Sequence, residues 1–144
     1  MRNVAEAEAI GEALRMVEAR ARVLAVDDDP SFLALLRAVV NGTRHLAVVG
    51  EAESGERAVA ATPDLQPDMV VMDVSMPGLG GIRAAEMINA DRPATVVVLI
   101  SATHPSEIPV DASVGCPHAV IWKSVLAPAL LDEVWLEHRA ELPG

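Results

Sequence analysis

Aromatic residues and cysteine are scarce in this sequence of 144 residues. It has no tyrosine, one phenylalanine, two tryptophans and a single cysteine, Cys116. The core must therefore be built from aliphatic side chains, and a 51% share of hydrophobic residues indicates a compact domain rather than a disordered chain. One cysteine excludes an intramolecular disulfide, which agrees with a reducing cytoplasm.

Long apolar runs and an excess of basic residues are also missing. The longest strongly apolar run, residues 96–100, is far too short to cross a bilayer. Glu6, Glu8 and Glu12 interrupt the segment where a signal peptide would have its apolar core. The formal net charge is −10, and a surface this acidic repels nucleic-acid phosphates and anionic lipids. We therefore expect a cytoplasmic protein whose partners include neither nucleic acid nor membrane.

The N-terminal residues differ in character from the rest of the chain. Residues 1–20 are rich in Ala, Glu and Arg, and their apolar residues lie three and four positions apart. This spacing predicts a helical extension with one apolar stripe, followed by a single domain at 21–144. The stripe consists of Val4, Ala7, Gly11, Leu14 and Val17.

Short apolar runs alternate with helical patterns through the domain. Strands that are apolar throughout are typical of a parallel sheet covered on both faces, so the alternation predicts a doubly wound α/β fold with five strands. The strands are predicted at residues 22–26, 45–52, 69–73, 95–100 and 118–122. Helices are predicted at 30–41, from Ser54 to a stop at Pro63, at 81–91 and at 127–141.

The segment between the fourth and fifth strands breaks this pattern. Residues 102–115 contain Pro105 and Pro109 and have few apolar residues at helical spacing. A proline inside a helix costs about 3 kcal/mol. We therefore expect the fourth helix of the domain to be short, displaced or missing.

Polar side chains follow four of the five predicted strands. Asp27 and Asp28 come after the first strand, and Asp73 ends the third. Ser101 follows the fourth strand, and Lys123 follows the fifth. Because the carboxyl ends of parallel strands meet at one edge of the sheet, where ligands bind, we expect these side chains to lie close together.

The residue types at this edge point to phosphoryl transfer. Three carboxylates brought together repel one another unless a cation compensates them, and oxygen ligands suit a hard ion such as Mg²⁺. Lys123 supplies a further positive charge. A carboxylate such as Asp73 can act as the nucleophile toward a phosphoryl group, while Ser101 donates a hydrogen bond to a transferred oxygen.

Four motifs, in order, resemble those of the receiver domains of two-component response regulators. VLAVDDDP contains the acidic pair, PDMVVMDVSMPG contains Asp73, VLISA contains Ser101 and VIWKS contains Lys123. The resemblance runs from about residue 22 to residue 141 and rests on the four motifs together. It implies a flavodoxin-like sheet with the strand order 2-1-3-4-5.

The resemblance also implies a role for each residue. Asp73 would accept the phosphoryl group. Mg²⁺ would be coordinated by the side chains of Asp28 and Asp73, by the backbone carbonyl of Ser75, and by Asp27 through water. The phosphoryl group would be contacted by Ser101, Ala102 and Lys123. The donor would be a histidine kinase or a phosphotransfer protein and the output a downstream protein, and the resemblance also allows a homodimer.

One family position is not met. Many receivers have an aromatic residue three positions before the lysine, and it rotates inward when the aspartate is phosphorylated; here this switch position is Val120. Valine has no ring and one stiff χ1 angle, so the usual coupling to output is not expected. We expect the coupling to run instead through the N-terminal helix or the loop of residues 103–115.

Other functions share parts of this pattern. A receiver fold can serve as an interaction module that is not phosphorylated in the cell. Phosphatases of the haloacid-dehalogenase type also use a nucleophilic aspartate and Mg²⁺, but they require a second aspartate two residues later, where this chain has Ser75. We expect a signalling domain rather than an enzyme, with at most self-catalysed phosphotransfer and autodephosphorylation. No helix-turn-helix or other output domain is visible, so we expect a stand-alone switch, with a truncated longer regulator as the alternative.

Overall fold

A single sheet of five parallel strands organises the chain. The computed structural model describes residues 3–18, 20–110 and 116–139. The spatial order of the strands is 2-1-3-4-5, so the predicted doubly wound, flavodoxin-like sheet is confirmed. The strands are β1 (Ala21–Val26), β2 (Leu46–Ala52), β3 (Met69–Asp73), β4 (Val96–Ser101) and β5 (Ala119–Trp122).

Helices cover both faces of the sheet. They are α1 (Val4–Glu18), α2 (Pro30–Asn41), α3 (Gly55–Leu65), α4 (Gly81–Asp91) and α5 (Pro128–His138). Buried side chains of α2 and α5 pack on one face, and those of α3 and α4 pack on the other. The helix α1 precedes the sheet, as the sequence predicts. Among the described residues, no helix combines the length and the apolar character that a membrane crossing requires.

The central strands explain why polar and apolar residues do not alternate along the predicted strands. Every residue of β3 and β4 is buried, because helices cover both faces of the sheet. Successive residues point to opposite faces, so Val71 packs with α2 and α5 while Met72 packs with α3 and α4. The aliphatic core predicted from the scarcity of aromatic residues is therefore present. Cys116 lies within it, and burial raises the pKa of its thiol to about 11.

The start of α2 follows the local chemistry of the sequence. The Asp29 side chain caps the helix by accepting a hydrogen bond from the Ser31 backbone N–H at 3.0 Å. Pro30 occupies the first turn, where its missing N–H would have no helical partner. This cap fixes where β1 ends and therefore where Asp27 and Asp28 leave the sheet.

The predicted end of α3 at Pro63 is wrong, since the helix continues to Leu65. Proline removes the backbone N–H that would bond to the carbonyl of Val59, four residues earlier. The Thr62 hydroxyl donates to this carbonyl at 2.9 Å and supplies the missing donor. The helix then ends at Gln66, whose φ of 47° is left-handed and whose N–H bonds to the Thr62 carbonyl.

Other boundaries differ from the prediction by one to three residues. Strands β2, β4 and β5 each begin one residue later than expected, and β1 begins one residue earlier. Helix α5 ends at His138, while the predicted end at residue 141 lies outside the described residues.

The connection between β4 and β5 has the irregular form that its prolines predict. Its described residues contain one short 3₁₀ turn, Pro105–Glu107, and no α-helix. Residues 111–115 of this connection lie outside the described residues. Within the part that is described, the expectation of a short or missing helix is confirmed.

Candidate functional site

The three aspartates predicted to meet do lie together at the carboxyl edge of the sheet. Asp27 and Asp28 follow β1, and Asp73 ends the neighbouring strand β3. One carboxylate oxygen from each residue lies within 4.8 Å of the others. Oxygen atoms at this separation can share one hard divalent cation such as Mg²⁺. The residues present therefore fit the ion that the sequence pattern predicts.

Burial divides these aspartates into two kinds. The exposed fractions of Asp27 and Asp73 are 1% and 5%, whereas Asp28 is exposed to solvent. The Asp27 Oδ1 atom accepts a hydrogen bond from the Asp29 backbone N–H at 2.8 Å, which fixes the orientation of this carboxylate. The cluster thus has a buried floor and one side open to a ligand.

Lys123 connects the two buried carboxylates. Its Nζ atom lies 3.4 Å from Asp27 Oδ2 and 3.4 Å from Asp73 Oδ1. The ammonium group also lies 3.9 Å from the centre of the Phe32 ring, which α2 presents to it. Phe32 was not predicted as a site residue, because its contact depends on how α2 packs and not on its position after a strand.

The pKa of the Asp73 carboxyl is raised above its ordinary value. Burial is the main cause, and the negative charge of Asp27 adds to it. The Lys123 ammonium and the Ser75 backbone N–H act in the opposite direction, because both stabilise the ionised carboxylate. Three carboxylates and a single ammonium leave this edge negatively charged, so a divalent cation would relieve the repulsion between them.

The loop after Asp73 passes close to the site. Ser75 is exposed, and its backbone N–H favours the ionised form of the Asp73 carboxyl and so acts to lower its pKa. The Glu56 side chain of α3 accepts a hydrogen bond from the Leu79 backbone N–H at 3.1 Å and so holds the loop from the other side. Gly81 opens α4, and a β-carbon at this position would collide with the Asp73 carbonyl. The sequence places Gly81 at the start of a predicted helix, but its close approach to the Asp73 carbonyl depends on how the chain folds and could not be predicted.

Ser101 is buried beside Asp73, because β4 and β3 are neighbours and Asp73 pairs with Ile100. Its Oγ atom lies 3.1 Å from the Thr103 hydroxyl and accepts a hydrogen bond from the Thr103 N–H at 3.1 Å. The next residue, Ala102, is exposed. The Ser101 hydroxyl therefore lies at the same edge of the sheet as Asp73, where it is hydrogen-bonded to Thr103 in the loop that follows it.

Val120 and Trp122 lie on the same face of β5. Val120 is half-buried against the core and, as the sequence indicates, offers no ring. Two residues later, the Trp122 indole N–H donates to the Ala102 carbonyl at 3.2 Å. The ring of His104 meets the Trp122 ring edge-on, with 5.4 Å between their centres. The sequence does not predict this link between Trp122 and the loop after Ser101.

The histidines do not join the acidic cluster. In the described residues, the only group of potential metal-ligating side chains is the three aspartates. His118 instead accepts a hydrogen bond from the Val97 N–H at 3.0 Å, and its ring meets that of His138.

Comparison with known proteins gives a family and partial relatives. The sequence profile of the response regulator receiver domain matches residues 23–134. A protein-glutamate methylesterase/protein-glutamine glutaminase of Agrobacterium fabrum is 40% identical over 88 residues, which cover 61% of this chain and 25% of that protein. The DNA-binding response regulator MtrA of Mycolicibacterium smegmatis is 38% identical over 85 residues, which cover 58% of this chain and 36% of that protein. The chain therefore spans about a quarter to a third of the length of these relatives.

Solved structures with the same fold extend the likeness to most of the chain. The response regulator domain of CheB from Thermotoga maritima aligns with a TM-score of 0.72 and 27% identity, over 87% of this chain and 99% of that one. A LuxR-family two-component response regulator from Aurantimonas sp. SI85-9A1 aligns with a TM-score of 0.75 and 28% identity, over 85% and 87%. With the profile matching more than half of the residues, the chain belongs to the response regulator receiver domain family of two-component signalling.

Proposed function

We propose that this chain is a phosphorylation-dependent switch that accepts a phosphoryl group on Asp73 from a histidine kinase or a phosphotransfer protein in the cytoplasm. The observation that carries the proposal is the contact of the buried Asp73 carboxylate with Lys123 at 3.4 Å, inside a cluster of three aspartates that is open on one side. A nucleophilic oxygen, a positive charge and a metal-binding edge are the parts that phosphoryl transfer needs.

The reaction proposed for Asp73 is a direct displacement. A carboxylate oxygen forms a bond to phosphorus while the bond from phosphorus to the donor's imidazole nitrogen breaks. The imidazole leaves with the electron pair of that bond and is protonated. Lys123 stabilises the charge on the transferred oxygens, and Ser101 donates its hydroxyl hydrogen to one of them after turning from Thr103.

The proposed ion is Mg²⁺. The side chains of Asp28 and Asp73, the Ser75 carbonyl and Asp27 through water would hold it. When bound, the ion would neutralise charge on the phosphoryl oxygens and help to orient the phosphoryl group toward the Asp73 nucleophile. Asp28 and Ser75 are the residues of this set that are exposed to solvent, so they mark the entry side.

Phosphorylation with a small donor tests the assignment of Asp73. Purified protein with Mg²⁺ and acetyl phosphate should gain the mass of one phosphoryl group. Asp73→Asn should gain none, while the matched change Asp64→Asn, on an exposed residue of α3, should leave the reaction unchanged. Persistence of the modification at the same level in Asp73→Asn would rule out this acceptor.

We further propose that the state of Asp73 reaches the surface through the loop after β4. Ser101 is bonded to Thr103, and the Ala102 carbonyl is bonded to Trp122, so a turn of the Ser101 hydroxyl disturbs a continuous set of contacts. Hydrogen exchange with and without beryllofluoride would compare residues 103–110 with α1. Unchanged protection in both segments would contradict this route and the alternative through α1.

The relatives extend well beyond the segment that matches this chain, so the likeness to them does not identify its output. We propose a downstream protein as the target, no binding of nucleic acid, and signalling without sustained catalytic turnover. The phosphatase alternative would need an acid where exposed Ser75 stands. Continuous hydrolysis of p-nitrophenyl phosphate would favour that alternative, whereas a single phosphorylation event would favour the switch. Absence of phosphorylated Asp73 in cells would favour the unphosphorylated interaction module.

A further inference from the structure

A cleft of ≈ 700 Å³ lies at the edge of the sheet opposite Asp73. It is formed where β1, β2 and β3 begin and where α5 ends. The six residues of β1 separate the two edges by about 20 Å, so the cleft is distinct from the aspartate cluster. We call it the arginine cleft, and its walls include Arg20, Arg44, His45, Asp68, Trp135 and Arg139.

Positive charge is concentrated in the arginine cleft of an otherwise acidic chain. The sequence has 21 acidic and 11 basic residues other than histidine, yet three arginines line this single cleft. Within the described residues, no carboxylate forms an ion pair with the guanidinium of Arg20, Arg44 or Arg139. Grouping like charges in one cleft opposes folding unless an anion compensates them. The arrangement therefore points to an anionic ligand.

The nearby carboxylates hold the backbone rather than the guanidinium groups. Asp68 Oδ2 accepts a hydrogen bond from the Arg22 backbone N–H at 2.8 Å. The two oxygens of Asp132, on α5, accept hydrogen bonds from the backbone N–H groups of Arg44 at 2.8 Å and His45 at 3.0 Å. These bonds fasten the segment that carries Arg44 to the helix that carries Trp135. The backbone that carries Arg44 is consequently held in place before a ligand arrives, which lowers the entropic cost of binding.

Trp135 gives the arginine cleft an apolar wall. The residue lies on α5, is half-buried against the core and lines the cleft. A volume of ≈ 700 Å³ is within the range of sites that bind small organic molecules. Guanidinium groups bind planar carboxylates and phosphates through paired hydrogen bonds, and an indole face stacks on a flat ring.

We propose that the arginine cleft binds a small organic anion in which a flat ring and a phosphate or carboxylate group are joined by a short linker, as the base and the phosphates of a nucleotide are joined by its sugar. The anionic group binds between the guanidinium groups, and the ring lies against Trp135. This site takes no part in phosphoryl transfer to Asp73.

Isothermal titration calorimetry of the full chain with ADP tests the proposal. The buffer contains EDTA, so that no metal-dependent binding at the aspartate cluster contributes. We expect a dissociation constant below about 1 mM, with weaker binding of pyrophosphate, which has no ring. Arg44→Gln and Arg139→Gln should each weaken ADP binding about tenfold, since each removes charge-assisted hydrogen bonds. The control Arg57→Gln makes the same charge change on exposed α3 and should leave the affinity unchanged.

Each result has a defined meaning. No measurable heat with ADP, or an equal affinity in Arg44→Gln, overturns the proposal. Equal affinity for ADP and pyrophosphate overturns the role of Trp135. Asp73→Asn should bind ADP as tightly as the unaltered chain, so loss of phosphorylation and loss of ADP binding are separable outcomes.

Discussion

At the scale of single residues, the site depends on how Lys123 is held. Its ammonium group contacts two buried carboxylates and the ring of Phe32. Strand-end positions were enough to predict the aspartates and the lysine, because the carboxyl ends of parallel strands must share an edge. Phe32 could not be predicted in this way, since its contact depends on the rotation of α2 about its own axis.

Phe32→Leu should slow phosphorylation of Asp73 about fivefold. Leucine keeps the apolar packing but removes a cation–π contact of about 1 kcal/mol, so Lys123 is less well positioned. The rate with acetyl phosphate at fixed Mg²⁺ measures the effect. Leu35→Ala, an exposed position on the same helix, is the control. Equal rates for Phe32→Leu and the unaltered chain would show that the ring does not position Lys123.

Asp73→Asn should stabilise the folded protein at pH 7 in the absence of metal. Burial raises the pKa of Asp73 in the folded state, so the unfolded chain loses this proton more readily and the ionised carboxylate lowers the free energy of unfolding. The gain should therefore shrink as the pH falls and vanish below the ordinary aspartate pKa of about 3.9. Urea unfolding at several pH values measures it.

Mg²⁺ should oppose the stability advantage that Asp73→Asn has over the unaltered chain without metal. In Mg²⁺, binding to the aspartate cluster should raise the urea midpoint of the unaltered chain more than that of Asp73→Asn. Asp64→Asn should follow the unaltered chain in both buffers. A lower midpoint for Asp73→Asn without metal at pH 7 would contradict the assigned effect of burial.

At the scale of elements, the sequence predicts where a strand or helix exists better than where it ends. The five strands and their intervening helices were predicted because apolar runs and caps such as Asp29 act locally. The continuation of α3 past Pro63 was missed because it depends on one side-chain hydrogen bond, from Thr62 to Val59. The lack of an α-helix in the described part of the connection between β4 and β5 was predicted because Pro105 and Pro109 disfavour a helix there.

Thr62→Val should destabilise the protein by about 1 to 2 kcal/mol. The change leaves the Val59 carbonyl without its hydroxyl donor in a buried part of α3. In a Pro63→Ala background the backbone N–H of residue 63 can bond to that carbonyl, so the same change should cost less. A double-mutant cycle in urea gives the difference. Equal costs in both backgrounds would show that Thr62 does not compensate the proline.

At the scale of the whole molecule, the sheet separates an acidic edge from a basic cleft, and the described side chains of α1 line neither. All described side chains of α1 between residues 3 and 12 are exposed apart from the half-exposed Gly11. The described residues 3–12 bury so little that they contribute little to the free energy of unfolding. The boundary between an extension at 1–20 and a domain at 21–144 is still a prediction, which deletion of the N-terminal residues would test.

Removal of residues 1–12 should change the urea midpoint only slightly, by less than about 0.5 kcal/mol in stability. It should also leave phosphorylation of Asp73 with acetyl phosphate unchanged. Circular dichroism during urea titration and intact mass after phosphorylation measure the two effects. Loss of cooperative unfolding in the shortened chain would show that α1 is part of the folded domain.

The two tryptophans stand at opposite edges of the sheet, one bonded to the loop after Ser101 and the other lining the arginine cleft. With no tyrosine in the chain, they dominate its intrinsic emission. Trp122→Phe and Trp135→Phe each leave one indole as a built-in optical reporter. The two ends of the molecule can therefore be watched one at a time, without attaching a dye.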